Sequence, residues 1–201
     1  MILSKYLLYN ITMFCYAIVF ISNQSCGDEW MKNHIKIISY ALIILFIIFG
    51  IIYFYPRKIS GEYNAIMYRL GDSNYSENIK VSINGYLSKG LLKGDNFEGN
   101  VTIGDNKLSK INMRFDNFRR GLLSCYVESI GDYTSYGDMY SDKMMKEFTI
   151  CVLEEDKQRK GGKTWSGTDG LMISAPASNR AEALEISNKL MKDILSNFVL
   201  K

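Results

Sequence analysis

Histidine is almost missing from this 201-residue chain: His34 stands alone, outside the region that reads as a folded domain. Its absence there excludes Ser-His-Asp and Cys-His catalysis and leaves an ordinary zinc site without its usual imidazole. Cysteine is nearly as scarce, with four residues and no Cys-x-x-Cys spacing, so no metal or redox motif of that kind is present. Cys125 shares a strand face with Leu123 and Val127. Cys151 alternates with Phe148, Ile150 and Val152 and so lies across its strand from them. Whether the two meet as a disulfide or stay as buried thiols depends on a strand order the sequence does not give.

Charge of one sign is also lacking where a nucleic-acid binder would need it. The formal charge of +3 is carried wholly by residues 1–58, which hold five Lys and Arg against two acids. The remaining residues, 59–201, hold nineteen of each sign. A neutral domain has no basic face to gather phosphates along a nucleic acid, so that class of partner is set aside. The richness in Ile, Asn, Lys and Tyr with only two prolines resembles the amino-acid usage of AT-rich Gram-positive bacteria, as an impression of composition alone.

Long apolar runs are what the chain does have. From Ile37 to Tyr55 there are 19 residues without a charge, with Ser39 as the one markedly polar residue. As a helix rising about 1.5 Å per residue this run reaches roughly the thickness of a bilayer's hydrocarbon core. Tyr40, Tyr53 and Tyr55 stand where interfacial rings belong, Lys32, Lys36, Arg57 and Lys58 bracket the run, and Pro56 closes it. Residues 31–58 therefore read as a membrane anchor, with the lipid bilayer as partner through Ile37 to Tyr55.

Residues 1–30 stay open. Tyr6 to Ile21 is apolar but broken by Asn10 and Thr12, and it can be read as a second membrane helix, a signal peptide, or a lipoprotein signal ending at Cys26. Another reading starts translation at Met31, whose Met-Lys-Asn-His-Ile-Lys opening resembles a signal anchor, with the codons of Gly27-Asp28-Glu29 able to spell a ribosome-binding site. The expected location is the plasma membrane with the domain extracytoplasmic. For the two-helix reading, the flanking cations differ by one and leave the orientation undecided.

After the anchor the period changes to two. Ile79, Val81, Ile83, Gly85 and Leu87 alternate with polar neighbours, and Phe97, Gly99, Val101 and Ile103 repeat the pattern. Gly104-Asp105-Asn106-Lys107 is a turn before Ile111, Met113 and Phe115, which makes a hairpin. Glu62–Leu70, Leu122–Glu128, Glu147–Leu153 and Leu171–Ala175 are further strand candidates. Asn179-Arg-Ala-Glu182 fits a capping box opening an amphipathic helix over about 179–198. The expected fold for residues 59–201 is α+β, an antiparallel β-meander with one C-terminal helix packed on the dry face of the sheet.

Gly162-Lys163-Thr164 lacks the upstream glycine of a phosphate-binding loop, since Lys157 stands there, and a polar hairpin turn over Glu154–Gly162 is the better reading. The segment with the densest chemistry joins Asp132, Tyr133, Tyr136, Asp138, Tyr140 and Asp142, with Trp165 later in a polar setting. Rings beside carboxylates can bind a sugar or peptide, and paired carboxylates can do acid and base work on a glycoside, while the same residues also suit an ordinary surface loop. No catalytic residue, metal or cofactor is assigned. The expectation is a non-enzymatic, membrane-tethered module that binds an unknown protein or small ligand at the cell envelope. The alternatives are an envelope hydrolase using Asp132, Asp138 or Asp142, and an accessory subunit of a membrane complex.

Overall fold

A computed structural model describes residues 29–90, 94–127, 131–156 and 161–201. The readings of Tyr6–Ile21 and Cys26 therefore lie outside the described residues, as do Glu128 and the tip of the Glu154–Gly162 turn. The chain divides into two compact units, Met1–Tyr55 and Pro56–Lys201.

In the first unit, helix α1 runs from Glu29 to Phe54. Its Lys36–Phe54 stretch is 19 residues long with a mean hydropathy of 2.8, which is long and apolar enough to cross a membrane. The large side chains along it, Ile37, Leu45, Phe49 and Ile52 among them, are about three-fifths exposed, as befits a helix without a packed core face.

The second unit is built on strands β1 (Arg57–Arg69), β2 (Ser76–Ser88), β3 (Asn96–Ile103), β4 (Asn106–Arg114), β5 (Arg120–Val127), β6 (Asp132–Ser141) and β7 (Phe148–Val152), a short hairpin of β8 (Glu154–Glu155) and β9 (Lys163–Thr164), and β10 (Leu171–Ala175). All but the hairpin form one antiparallel sheet in the order β4-β3-β2-β1-β10-β7-β6-β5, so chain neighbours pair within β1–β4 and within β5–β7, and β10 returns to lie between β1 and β7. The expected antiparallel sheet is present, but as two meanders joined through β10. Its two edge strands, β4 and β5, curl round to face each other, with Asp116 N–H donating to Arg120 O at 2.8 Å in the turn that joins them. The sheet is thereby rolled into a barrel with a seam between β4 and β5.

Rolling the sheet gives it two buried faces. Val81, Ile83, Leu87, Phe97, Val101, Ile111, Leu123, Met139, Phe148 and Ile150 point inward and fill the barrel, in keeping with the period of two read from β2. Gly85 faces Gly99 across β2 and β3, where an added Cβ would strike the backbone of the facing strand, so the pair permits the close approach of the two strands there. Outside, Ile66, Tyr68, Leu70, Tyr140, Cys151 and Met172 form a second apolar surface under helix α2 (Arg180–Leu190) and the short α3 (Lys192–Leu195).

Helix α2 starts where the capping box placed it. Asn179 Oδ1 accepts from Glu182 N–H at 3.0 Å, and Glu182 reaches back to the Ser178 amide at 2.8 Å. It stops well short of residue 198. Asn188 donates to Leu184 O and Leu200 O and accepts from the Leu200 amide, which folds the last residues back along the helix instead of extending it. Four hydroxyls, from Tyr68, Thr149, Ser174 and Ser187, are fully buried between α2 and the sheet and hydrogen-bond one another at 2.6–3.3 Å.

Candidate functional site

The segment read as an aromatic and acidic patch is strand β6, so its side chains are divided between the two faces and the end of the barrel. Asp132 and Tyr133 are exposed where β6 begins. Tyr136 packs against the barrel interior, and burial raises its phenol pKa above the ordinary 10.0. Tyr140 faces outward beneath the helix; burial first, then Cys151 and Asp138, push its phenol up to about 12. Asp138 is half-buried on the outer side, and desolvation raises its carboxyl pKa although the nearby Arg120 lowers it. Asp142 caps a turn, accepting from the Lys146 amide at 2.6 Å and from the Glu147 amide at 3.3 Å. Trp165 packs at the border of the outer core.

At about 3.3 Å per residue, six positions separate Asp132 from Asp138 by roughly 20 Å and four separate Asp138 from Asp142 by roughly 13 Å. Glycoside chemistry uses carboxyl groups about 5–10 Å apart. Among the described residues, no group of three or more His, Cys, Asp or Glu converges to hold a metal ion.

The two cysteines lie on opposite sides of the sheet, Cys125 in the barrel interior and Cys151 in the outer core, and both are buried free thiols. Burial first, and Asp138 next, raises the Cys151 thiol pKa far above its ordinary range.

A different feature gathers chemistry at one place. At the end of the barrel opposite Arg57 the seam opens into a cleft of about 560 Å³ lined by β4, β5, β6 and β9. β9 pairs with β8 as the expected polar hairpin. Its base is tied to the barrel by Arg69, which donates to both Glu154 carboxylate oxygens at 2.6 and 3.0 Å.

Two β-bulges flank this opening. In β4, Ser109 and Lys110 together oppose Asn100 of β3; Lys110 adopts φ 55° and its amide donates to Asn100 Oδ1. In β6, Tyr136 is the extra residue against β5. A bulge bends its strand and re-aims a side chain, and here one lies in the edge strand β4 and one in β6, next to the other edge.

The floor of the cleft is apolar, with Leu108 and Cys125 each 6% exposed and Tyr136 beside them. Its rim is cationic. Lys110 Nζ sits 4.6 Å from the centre of the Tyr126 ring, and Tyr126 meets Tyr133 edge-on at 5.4 Å. Lys163 Nζ donates to Thr134 Oγ1 at 3.2 Å and to Ser135 O at 3.1 Å, and Lys107 completes the rim. Among the described residues, no carboxylate lies within ion-pair distance of Lys107, Lys110 or Lys163, and none lines the cleft. Of the residues named in the sequence as a candidate binding patch, Tyr136 lines this cleft and Tyr133 borders it, while Cys125 and Lys163, named there for other reasons, also line it. The three lysines carry no sequence signal for it, because they are separated by up to 56 positions and meet only once the sheet rolls up.

No protein-family model, curated protein or solved structure matches this chain, so what the site does rests on its geometry.

Proposed function

We propose that this protein is a non-enzymatic binding module, held at the plasma membrane by α1, that takes its ligand in the cleft between β4 and β5 at the cell envelope. The observation that carries the reading is the cleft's composition: an apolar floor under three lysines that have no acidic partner among the described residues, where a protein interior or a plain surface would neutralise or scatter them. The missing histidine argues against the commonest hydrolytic machinery, and the length and hydropathy of Lys36–Phe54 support the anchor. An extracytoplasmic domain is part of the proposal.

A photoreactive amino acid placed at Ser109, inside the cleft, and separately at the exposed Tyr86 tests it in living cells. A discrete adduct at Ser109 alone is the expected result; equal labelling at both positions, or none, overturns the cleft as a site. Impermeant protease on intact cells reads the topology. Loss of the chain beyond Arg57 is expected, and full protection would place the domain inside.

A further inference from the structure

Building on the cleft as the binding site, we infer that its ligand is an organic phosphate, with the phosphate held by Lys107, Lys110 and Lys163 and the carbon skeleton resting on Leu108, Cys125 and Tyr136. Three cations with no acid among the described lining residues suit a group carrying about two negative charges, which a phosphate monoester does near neutral pH and a single carboxylate does not. The lysines are also arranged around one opening. Lys110 reaches from the β4 bulge across the seam to β5, while Lys163 descends from the β8–β9 hairpin onto β6, so the two cover adjacent strands from opposite sides.

Lys110 holds a left-handed backbone conformation that costs a non-glycine residue stability, and its exposed ammonium lies over the Tyr126 ring, which draws it toward the cleft. Asn106, Ser109 and Thr134 supply neutral hydrogen-bonding groups at the same rim. The apolar floor adds a requirement that a bare anion does not meet, so a ligand with a ring or short hydrocarbon beside its phosphate gains contacts that inorganic phosphate lacks.

A soluble metabolite-sized molecule and a lipid headgroup both present such a phosphate, and the arms of one experiment separate them. Full-length protein in nanodiscs of phosphatidylcholine is exposed to a lysine-methylating reagent, and modification at Lys107, Lys110 and Lys163 is read by mass. Phenyl phosphate, inorganic phosphate and benzyl alcohol are the soluble probes; nanodiscs containing phosphatidic acid are the lipid probe. Protection of the three lysines by phenyl phosphate at about one-tenth of the concentration needed with inorganic phosphate, and none by benzyl alcohol, is expected for a soluble ligand. Protection by phosphatidic acid without added probe assigns the phosphate to a lipid.

The triple change Lys107→Gln, Lys110→Gln, Lys163→Gln should weaken phenyl phosphate binding at least about tenfold. The equally charged control Lys80→Gln, Lys146→Gln, Lys192→Gln should leave it unchanged; all three control lysines are exposed and outside the cleft. Lys163→Gln alone serves if the triple variant fails to fold. No protection by any phosphate probe, or equal loss in both triple variants, overturns the phosphate assignment. If the Ser109 adduct still forms in that case, the cleft remains a site for another ligand; if it does not, both readings fall.

Discussion

Replacing Ser187 by alanine tests the join between helix and barrel. Ser187 Oγ donates to Ala183 O at 2.9 Å and lies 2.6 Å from the Tyr68 hydroxyl, 2.7 Å from Ser174 Oγ and 3.0 Å from Thr149 Oγ1, all fully buried. With its one proton on Ala183 O, it can accept from Tyr68 and from one neighbour. Alanine removes both accepted bonds, at about 1 kcal/mol each. It also strands the Tyr68 hydroxyl, whose remaining contacts at 3.3–3.6 Å are poor, for about 1 kcal/mol more. The better helix propensity of alanine returns about 0.5 kcal/mol. The net loss is about 2–3 kcal/mol. Tyr68→Phe should cost less, about 1–2 kcal/mol, because Ser187 then keeps Ser174 as a donor. The double variant should fall short of the sum by about 1 kcal/mol, since both changes remove the same bond. Urea unfolding of the full chain in detergent, followed by Trp165 fluorescence in a Trp30→Phe background, reads the loss as a midpoint lowered by about 1–2 M. A shift in Ser187→Ala below about 0.3 M, or strict additivity in the double variant, would refute the account of this network as a coupled hydrogen-bonded unit.

Ile83→Asp places an unpaired carboxylate at a fully buried point of the barrel interior and should unfold the domain, by about 4 kcal/mol or more; a variant that resists protease like the parent would sink the inward assignment of this face. The hydrogen bonds from Arg69 hold the Glu154 carboxyl below its ordinary 4.5. A carboxylate depressed in the folded state stabilises above its unfolded pKa and loses that contribution as pH falls through the folded one. Both side chains are a third or more exposed, so the effect is small, about 0.5 kcal/mol, and Arg69→Gln should make the fall in urea midpoint below about pH 5 shallower; an unchanged slope would show that this pair contributes nothing. Because Cys125 and Cys151 lie on opposite faces of the sheet, alkylation after denaturation without reductant should label both thiols, and recovery of a Cys125–Cys151 linked peptide would contradict the fold.

Wherever one face of a strand is dry and the other wet, the sequence displays it. β2 alternates cleanly because its outer side faces solvent, and Asn179 and Glu182 mark the start of α2 because capping is a contact between residues three apart. β6 escapes the same reading for two physical reasons. Over its second half both faces are covered, Met139 by the barrel interior and Tyr140 by the C-terminal helix, so alternation carries no contrast. In its middle, the bulge at Tyr136 shifts the phase by one residue, so the residues before it and those after it do not share a period. An undirected mixture of Tyr, Asp, Ser and Thr is what remains to be read, and it looks like a loop.

The cleft was illegible for a related reason, since its existence depends on how two strands far apart in sequence fail to join. β4 and β5 each have ordinary strand composition, and nothing in either announces that they close a barrel at one end and part at the other. Single-residue insertions flank the opening, at Lys110 and Tyr136, neither of which is glycine or proline and neither of which breaks the pattern strongly enough to be seen. Lys163 is the instructive case. Gly162-Lys163-Thr164 is excluded as a phosphate-binding loop because the upstream glycine and the downstream helix are both missing. The hairpin that takes the loop's place nevertheless carries the same lysine to the rim of the cleft, where it donates to Thr134 and Ser135 on another strand. Local motif and tertiary placement are separate sources of a binding group, and in this protein the second supplies a cation where the first is absent.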